Sequence, residues 1–380
     1  MSQNSLTIPF NKPYLTGLET GYMIDAASRG HLSGNGFYTK KCHAFFEKRY
    51  GFKKCLLTTS CTDALEMAAL LCDVGPGDEV IMPSFTFVST ANAFVLRGAK
   101  IVFCDSRSDH PGMDEDLIEA LITERTKIIV PVHYAGVACD MDKIMALSEK
   151  YGLLVVEDAA QAIDSFYTGA DGIKRPLGGI GHMAAFSFHE TKNIQCGEGG
   201  MLVVNDMQFA ERAEIIWEKG TNRAAFFRGD IDKYGWVDVG SSFLPSELIA
   251  AFLWAQLEAL DDIQEKRKVI WQHYWEGLQG LKAKGIQLPV VPDFATNNAH
   301  MFYLVLSGLE ERSAFIASLR QAGMMAVFHY QSLHASTMQQ KGRERISLPV
   351  CDGYSDKLVR LPFFCGVDND RIIQSVLTYG

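Results

Sequence analysis

The 380-residue sequence predicts an α/β protein: a mostly parallel, seven-stranded sheet with flanking helices, followed by a smaller C-terminal α+β region. Three observations lead there. Short apolar runs alternate with helix-like segments through the first two-thirds of the chain. Several runs are continuously apolar rather than alternating, as strands covered on both faces should be. Aspartate or threonine stands at the start of the intervening helical patterns, where a side-chain oxygen can accept from the unpaired N–H groups of a first turn.

The expected strands, in order, are Cys55–Thr58, Glu79–Pro83, Lys100–Cys104, Lys127–Val132, Leu153–Glu157, Ala184–Phe188 and Met201–Val204. Between them the spacing predicts helices over Thr62–Cys72, Asp114–Thr123, Asp140–Tyr151 and Asp206–Lys219. From Pro245 the texture changes, and Ser246–Leu281 reads as one long helical region rich in Ala, Leu, Glu, Gln and Lys. A connection, Leu288 to Pro292, follows it. Beyond Ala299, strand-like runs (Met301–Leu306, Met325–Tyr330) alternate with helix-like ones (Arg312–Ala322, Asp368–Thr378). The expected division is a large domain over residues 1–245, then a long helical connection and a small domain over 246–380.

Composition narrows the function. Hydrophobic residues make up 47% and charged residues 21%, which excludes disordered, collagen-like and coiled-coil classes. Thirty-six Lys and Arg against 45 Asp and Glu leave a net charge of −9, with no concentrated basic face for a nucleic acid. The nine cysteines show no C-x-x-C spacing and no zinc-like clustering with histidine, so no metal is expected. Reduced thiols in a cytoplasmic protein are the simple expectation. Met1–Pro13 is polar and lacks the apolar core of a signal peptide. The uncharged stretch Val80–Leu96 contains Pro83, Asn92 and several hydroxyl residues, too polar for a membrane span.

In an open α/β sheet, ligands bind beyond the carboxyl ends of the strands. Three strand ends carry chemistry. Asp158 follows the apolar run Leu153–Val156 almost directly, with Gln161 three residues on. A carboxylate there could hold a metal, pair with a protonated ring nitrogen, or simply cap a helix. Lys192 stands in the polar turn Ser187-Phe188-His189-Glu190-Thr191-Lys192, with Gly197, Gly199 and Gly200 just beyond. A lysine withdrawn from water has a lowered pKa and can form a Schiff base, although most lysines are solvated loop residues. Thr58-Thr59-Ser60-Cys61-Thr62-Asp63 leads into an apolar helix, and hydroxyls with free N–H groups at a helix start suit a phosphate or just a cap. Asp63 counts against the phosphate unless it points away. Gly179, Gly181 and Ala184 satisfy a dinucleotide-binding pattern, but a strand follows where a helix is required, which leaves a nicotinamide enzyme a weak reading.

Taken together, phosphate loop, strand-end Asp with Gln, and strand-end Lys resemble a fold-type I pyridoxal-phosphate enzyme. More narrowly, the chain resembles the DegT/StrS-type sugar-nucleotide aminotransferases. The motifs are Pro83 to Thr90, Val155 to Gln161, Phe186 to Asn193 and Gly197 to Gly200, with Ile8-Pro9-Phe10 and His31 to Gly36. The likeness covers the large domain, and the C-terminal third matches more loosely. Through Phe188-His189-Glu190-Thr191-Lys192 and Lys219-Gly220-Thr221-Asn222-Arg223, it is most similar to thymidine-diphosphate-4-keto-6-deoxyhexose 4-aminotransferases.

That resemblance implies roles. Lys192 would hold pyridoxal 5'-phosphate as a Schiff base and shuttle the substrate proton. Asp158 would pair with the pyridine nitrogen, Gln161 would lie near the ring hydroxyl, and Phe87 would stack on the ring unless it is a core residue. Thr62, Asp63 through its backbone N–H, and Ser187 would hold the phosphate. Many relatives carry an Asn near the position of Leu244 that reaches the partner subunit's cofactor. Leucine cannot donate, so Asn222 or Arg223 would supply that contact. His329 and Tyr330 follow a C-terminal strand and would face the sugar, while Arg223 and Arg228 are candidates for the diphosphate. The implied protein is a homodimer using L-glutamate and a nucleotide-linked keto sugar, with no membrane partner. Amination at C3, another nucleotide carrier, and a non-catalytic sugar-nucleotide sensor remain the rivals.

Overall fold

The computed structural model describes residues 7–340 and 346–379, so the first six residues of the polar N-terminal segment lie outside the described residues. The strands, in chain order, are β1 (Lys54–Thr58), β2 (Glu79–Pro83), β3 (Lys100–Cys104), β4 (Thr126–Ile129), β5 (Leu154–Asp158), β6 (Phe166–Thr168), β7 (Lys174–Pro176), β8 (Met183–Ser187) and β9 (Gly200–Val204). The C-terminal strands are β10 (Tyr303–Val305), β11 (Val327–Phe328) and β12 (Leu358–Arg360). The main sheet has the order β1-β9-β8-β5-β4-β2-β3. Its neighbours are parallel except at β9, which runs against both β1 and β8. β6 and β7 form a separate hairpin, and β10-β12-β11 a small antiparallel sheet.

The continuously apolar strands are covered on both faces. Leu56, Val80, Met82, Ile128, Val156, Ala185 and Leu202 pack on one face with the helix Cys61–Leu71. Cys55, Leu57, Ile81, Ile129, Val155, Ala184, Phe186 and Val203 point the other way, into a core with the helices Phe37–Tyr50 and Met141–Tyr151. This alternation is the period-two geometry of a strand buried twice over. A third core, with Tyr274, Phe302, Leu304, Phe315 and Val359, lies under the small sheet.

All seven strands of the main sheet fall within a few residues of their expected positions. Asp140 caps its helix through a side-chain oxygen as expected, whereas Asp114 and Asp206 each cap a short 3₁₀ turn that leads into the helix. The first helix is capped by Ser60 rather than Thr62. The long region after Pro245 is two helices, Glu247–Glu258 and Leu260–Gly277, broken at Ala259. Asp261 and Asp262 open the second, where acidic side chains favour a helix start. The first packs against the N-terminal helices: Glu247, buried, accepts from the N–H groups of Gly36 and Tyr38 at 2.9 and 2.7 Å. Among the described residues no helix is long and apolar enough to cross a membrane.

Candidate active site

The strands β1, β2, β4, β5 and β8 all deliver their carboxyl ends to one edge, where a cavity of about 470 Å³ opens. Each strand end contributes to its lining, and the small sheet closes it with His329, Tyr330 and Arg360.

At the end of β1 the chain turns directly into the helix Cys61–Leu71. Ser60 accepts from the N–H of Asp63 at 3.1 Å, which leaves the N–H groups of Cys61 and Thr62 at the open end. Gly200 of β9 permits this approach, because a Cβ there would lie 2.3 Å from the carbonyl carbon of Ser60. A second helix, Val88–Val95, starts beside it, and Thr62 Oγ1 donates to Ser89 Oγ at 2.8 Å. Two helix N-termini thus bring partial positive charge to one side of the cavity. Ser187, at the end of β8, lines the same cavity. Asp63 is correctly placed in sequence but differently employed: its N–H is taken by Ser60, and its carboxylate turns to the hydroxyl of Thr59.

Asp158 is the last residue of β5 and is 5% exposed. Its Oδ2 accepts from Thr90 Oγ1 at 2.7 Å, and its Oδ1 from the N–H of Ala160 at 3.1 Å. It is therefore a fixed acceptor rather than a helix cap. Beneath it, Glu157 is fully buried and accepts from His133 at 2.9 Å and from the N–H groups of Gly178, Ile180 and Gly181. The glycine-rich turn that mimics a dinucleotide motif is thus a cradle for this carboxylate. Gln161 is also held at both ends, accepting from the N–H of Ala135 at 2.7 Å and donating to the Tyr330 hydroxyl at 3.3 Å.

Lys192 sits in the tight turn after β8, its N–H bonded to the carbonyl of His189 at 2.9 Å. Among the described residues its amine makes no hydrogen bond or ion pair. Burial pushes its pKa down, against the opposing pull of Cys61 and Asp158. Phe87 is 57% exposed and lines the cavity, with Tyr330 at a ring distance of 6.1 Å. It is not a core phenylalanine.

His329 lines the cavity but is not free. Its Nδ1 meets the Tyr134 hydroxyl at 3.0 Å, and its Nε2 meets Nη1 of Arg360 at 3.4 Å. A guanidinium only donates, which assigns Nε2 as acceptor and puts the proton on Nδ1. Three further cavity groups escaped the sequence reading: Thr90, His300 and Arg360. His300 bonds through Nδ1 to Asn193, the neighbour of Lys192, at 2.8 Å. Burial, with Lys192 and Arg360 nearby, holds its pKa well below the usual value. Strand-end position exposed Asp158 and Lys192 to sequence analysis; these three carry no such signal.

Asn222, Arg223 and Arg228 do not line the cavity of their own chain. Asn222 accepts from the N–H of Gly235 at 2.8 Å, and exposed Arg223 lies over Phe227 at 5.0 Å. Arg228 is spent on Glu214 and Asp230, at 2.7 and 2.9 Å.

Comparison with known proteins gives a consistent answer. The DegT/DnrJ/EryC1/StrS aminotransferase family matches residues 15–378, so the likeness extends through the C-terminal third as well. DesV from S. venezuelae, solved with a ketimine intermediate, is 30% identical, with 97% of each chain covered and a TM-score of 0.87. Spr1654 from Streptococcus pneumoniae in its PLP form is 26% identical, covering 97% of each chain, also at a TM-score of 0.87. A DegT DnrJ EryC1 StrS aminotransferase from Brucella abortus is 27% identical over 94% of each chain, at a TM-score of 0.84.

Proposed function

This chain belongs to the DegT/DnrJ/EryC1/StrS aminotransferase family, whose cofactor is pyridoxal 5'-phosphate, and from that premise we propose that it aminates a nucleotide-linked keto sugar. The amino donor in this reading is L-glutamate, and the acceptor carbon is C4 of a thymidine-diphosphate-4-keto-6-deoxyhexose. The observation that carries it is the unpartnered amine of Lys192, depressed by burial, in one cavity with the fixed carboxylate of Asp158.

The residues fit the cofactor. It supplies an electron-accepting ring and an aldehyde that an amine can join. Lys192 offers that amine in a form that burial makes easier to deprotonate, and it can take and return the proton at the substrate carbon. Asp158, held by Thr90 and Ala160, places negative charge where a ring nitrogen must keep its proton. The two helix starts, with Thr62, Ser89 and Ser187, suit a phosphate. Phe87 presents an aromatic face, and Gln161 lies close to the ring hydroxyl in this reading.

The acceptor assignment rests on the segment after the helix Ala210–Trp217. Arg223 stands there among exposed apolar residues, Phe227 at 68% and Trp236 at 82% exposure. Such a band is costly in a solitary chain and supports a homodimer in which Arg223 and Asn222 serve the neighbouring cavity. A cytoplasmic location goes with this reading.

The test is spectroscopic. The purified protein with pyridoxal phosphate should show a visible band that L-glutamate removes and the thymidine-diphosphate keto sugar restores. Lys192→Ala should fold and abolish turnover. A protein whose band is restored only by a 3-keto sugar, another nucleotide or an unrelated ketone would overturn the substrate assignment.

A further inference from the structure

Among the described residues, two cations line the cavity without a carboxylate partner, Lys192 and Arg360. Lys192 is accounted for by the chemistry above. Arg360 is not.

Arg360 ends β12 and reaches the cavity from the small sheet. One face of its guanidinium lies 4.7 Å from the ring of Phe10. Nη1 donates to His329, and Nε is buried with no acceptor at all. The supporting His329 is neutral, because burial and the adjoining cations Arg360 and Lys192 hold its pKa far below the usual value. The groups that favour the charged guanidinium, Tyr134 and Tyr330, carry no charge themselves near neutrality, since burial raises both hydroxyls. Protein thus orients this guanidinium without neutralising it. A buried cation with an orphaned N–H is unfavourable until an anion completes it.

We propose that Arg360 forms the subsite for a carboxylate of the amino donor, an inference that rests on the aminotransferase reading above. Chemistry selects the carboxylate over the other anions. In the reading above the cofactor phosphate has its own place at the two helix starts, while Arg360 enters from the small sheet. Arg360 is an electrostatic neighbour of Lys192. The donor's α-carboxylate is bonded to the same carbon that Lys192 must deprotonate, so it lies near Lys192 in any productive pose. The diphosphate of the sugar substrate is attached at C1, across the ring from C4. A planar fork also matches a planar carboxylate. The keto sugar has no carboxylate beside its carbonyl, so Arg360 serves one half-reaction and not the other.

The test compares wild-type, Arg360→Gln and Arg360→Lys holoenzymes. One measurement follows loss of the visible band with L-glutamate alone, over a concentration series that separates affinity from limiting rate. A second titrates glutarate, a dicarboxylate with no amine to transfer, and reads the rise in melting temperature. In Arg360→Gln the apparent affinity for glutamate should fall by about ten- to a hundredfold, with the limiting rate changed by less than about threefold. Glutarate stabilisation should disappear, and KM for the keto sugar nucleotide should stay within about twofold. Arg360→Lys keeps the charge, loses the fork and should fall between. Unchanged glutamate affinity in Arg360→Gln, a loss that falls on the sugar nucleotide, or equal stabilisation by sulfate would overturn the proposal. If Arg360→Gln shows no cofactor band or cooperative melt, Arg360→Lys decides, and wild-type affinity there overturns it. A protein that accepts no sugar yet loses glutarate binding with Arg360 would sink the sugar assignment and leave this subsite standing.

Discussion

Replacing Asp158 by asparagine isolates the charge at the heart of the cavity. Asparagine keeps the shape and one carbonyl oxygen, so the N–H of Ala160 retains its acceptor. The oxygen facing Thr90 becomes an NH₂ group, and Thr90 can turn its hydroxyl toward Thr86, 2.9 Å away, and accept instead. The fold should therefore lose only about 1 kcal/mol, one ordinary hydrogen bond's worth. The chemistry loses far more. A carboxylate beside a basic ring nitrogen raises that nitrogen's pKa by roughly one to three units, and without it the nitrogen sheds its proton at neutral pH. The charge acts in a site where Asp158 is only 5% exposed, so water replaces little of it.

Turnover should fall roughly a thousandfold, the scale seen when one preorganised electrostatic group is removed from a transition state. The assay is steady-state amino transfer, with the visible band and melting temperature recorded on the same preparation. A variant that binds cofactor, melts within a few degrees of wild type and keeps more than about a tenth of its turnover would refute the pairing role. So would a variant that cannot bind cofactor at all, since that outcome assigns Asp158 to binding.

Glu79 is 1% exposed; burial raises its pKa, but hydrogen bonds from Thr123, Lys100 and Arg125 outweigh burial and hold the carboxyl at about 2. A folded pKa below the usual 4.5 stabilises above that value and is lost as pH falls toward 2. Glu79→Gln should cost about 2 kcal/mol at pH 7, discounted for two exposed partners, and in urea titrations the gap from wild type should narrow below the usual value of 4.5 and nearly close only as pH reaches about 2; a pH-independent gap would contradict the linkage. Glu247→Ala removes the acceptor for the N–H groups of Gly36, Tyr38 and Thr39 at the start of the helix Phe37–Tyr50, and denaturant melts should show a loss of about 3 kcal/mol. Phe87→Ala removes a side chain already 57% exposed, so stability should shift by less than about 1 kcal/mol, while cofactor affinity measured by equilibrium dialysis should weaken roughly tenfold.

The sheet was legible because a strand buried on both faces has no room for polar residues, as in Val80-Ile81-Met82 or Met201 to Val204. Asp158 was legible for the complementary reason: a charge that abruptly ends such a run must stand at the sheet's edge, and Lys192 follows another such run within a short polar turn. What stayed hidden depends on pairing across the chain. β6, β7 and β12 are three residues each and exist only through their partners. The helix Val88–Val95 carries no charge, and its start is marked by Phe87 rather than by a capping side chain. Arg360 ends one of the unread strands, so nothing local announced it. His329 shows the converse: its position was read correctly, yet only the geometry reveals that both ring nitrogens are committed and that the cation it supports is the group left facing a ligand.

These placements resolve a tension in the chain's charge. A protein of net charge −9 has to hold a phosphate, a carboxylate and a diphosphate in turn in this reading. Surface charge cannot do this, because salt screens it within about 10 Å. An enclosed cavity can, since few charges act there through a low dielectric. Lys192, Arg360 and two helix starts supply the positive side, against the buried carboxylate of Asp158 and the exposed one of Glu198 at the rim beside His189. His300 and His329 hold the balance by staying neutral, both with pKa values well below the usual one. Were they charged, the added repulsion would favour a permanently deprotonated Lys192 and trap anions that must leave after each half-reaction. Burial of these two histidines thus keeps further positive charge out of the cavity and leaves Lys192, Arg360 and the helix starts as its sources.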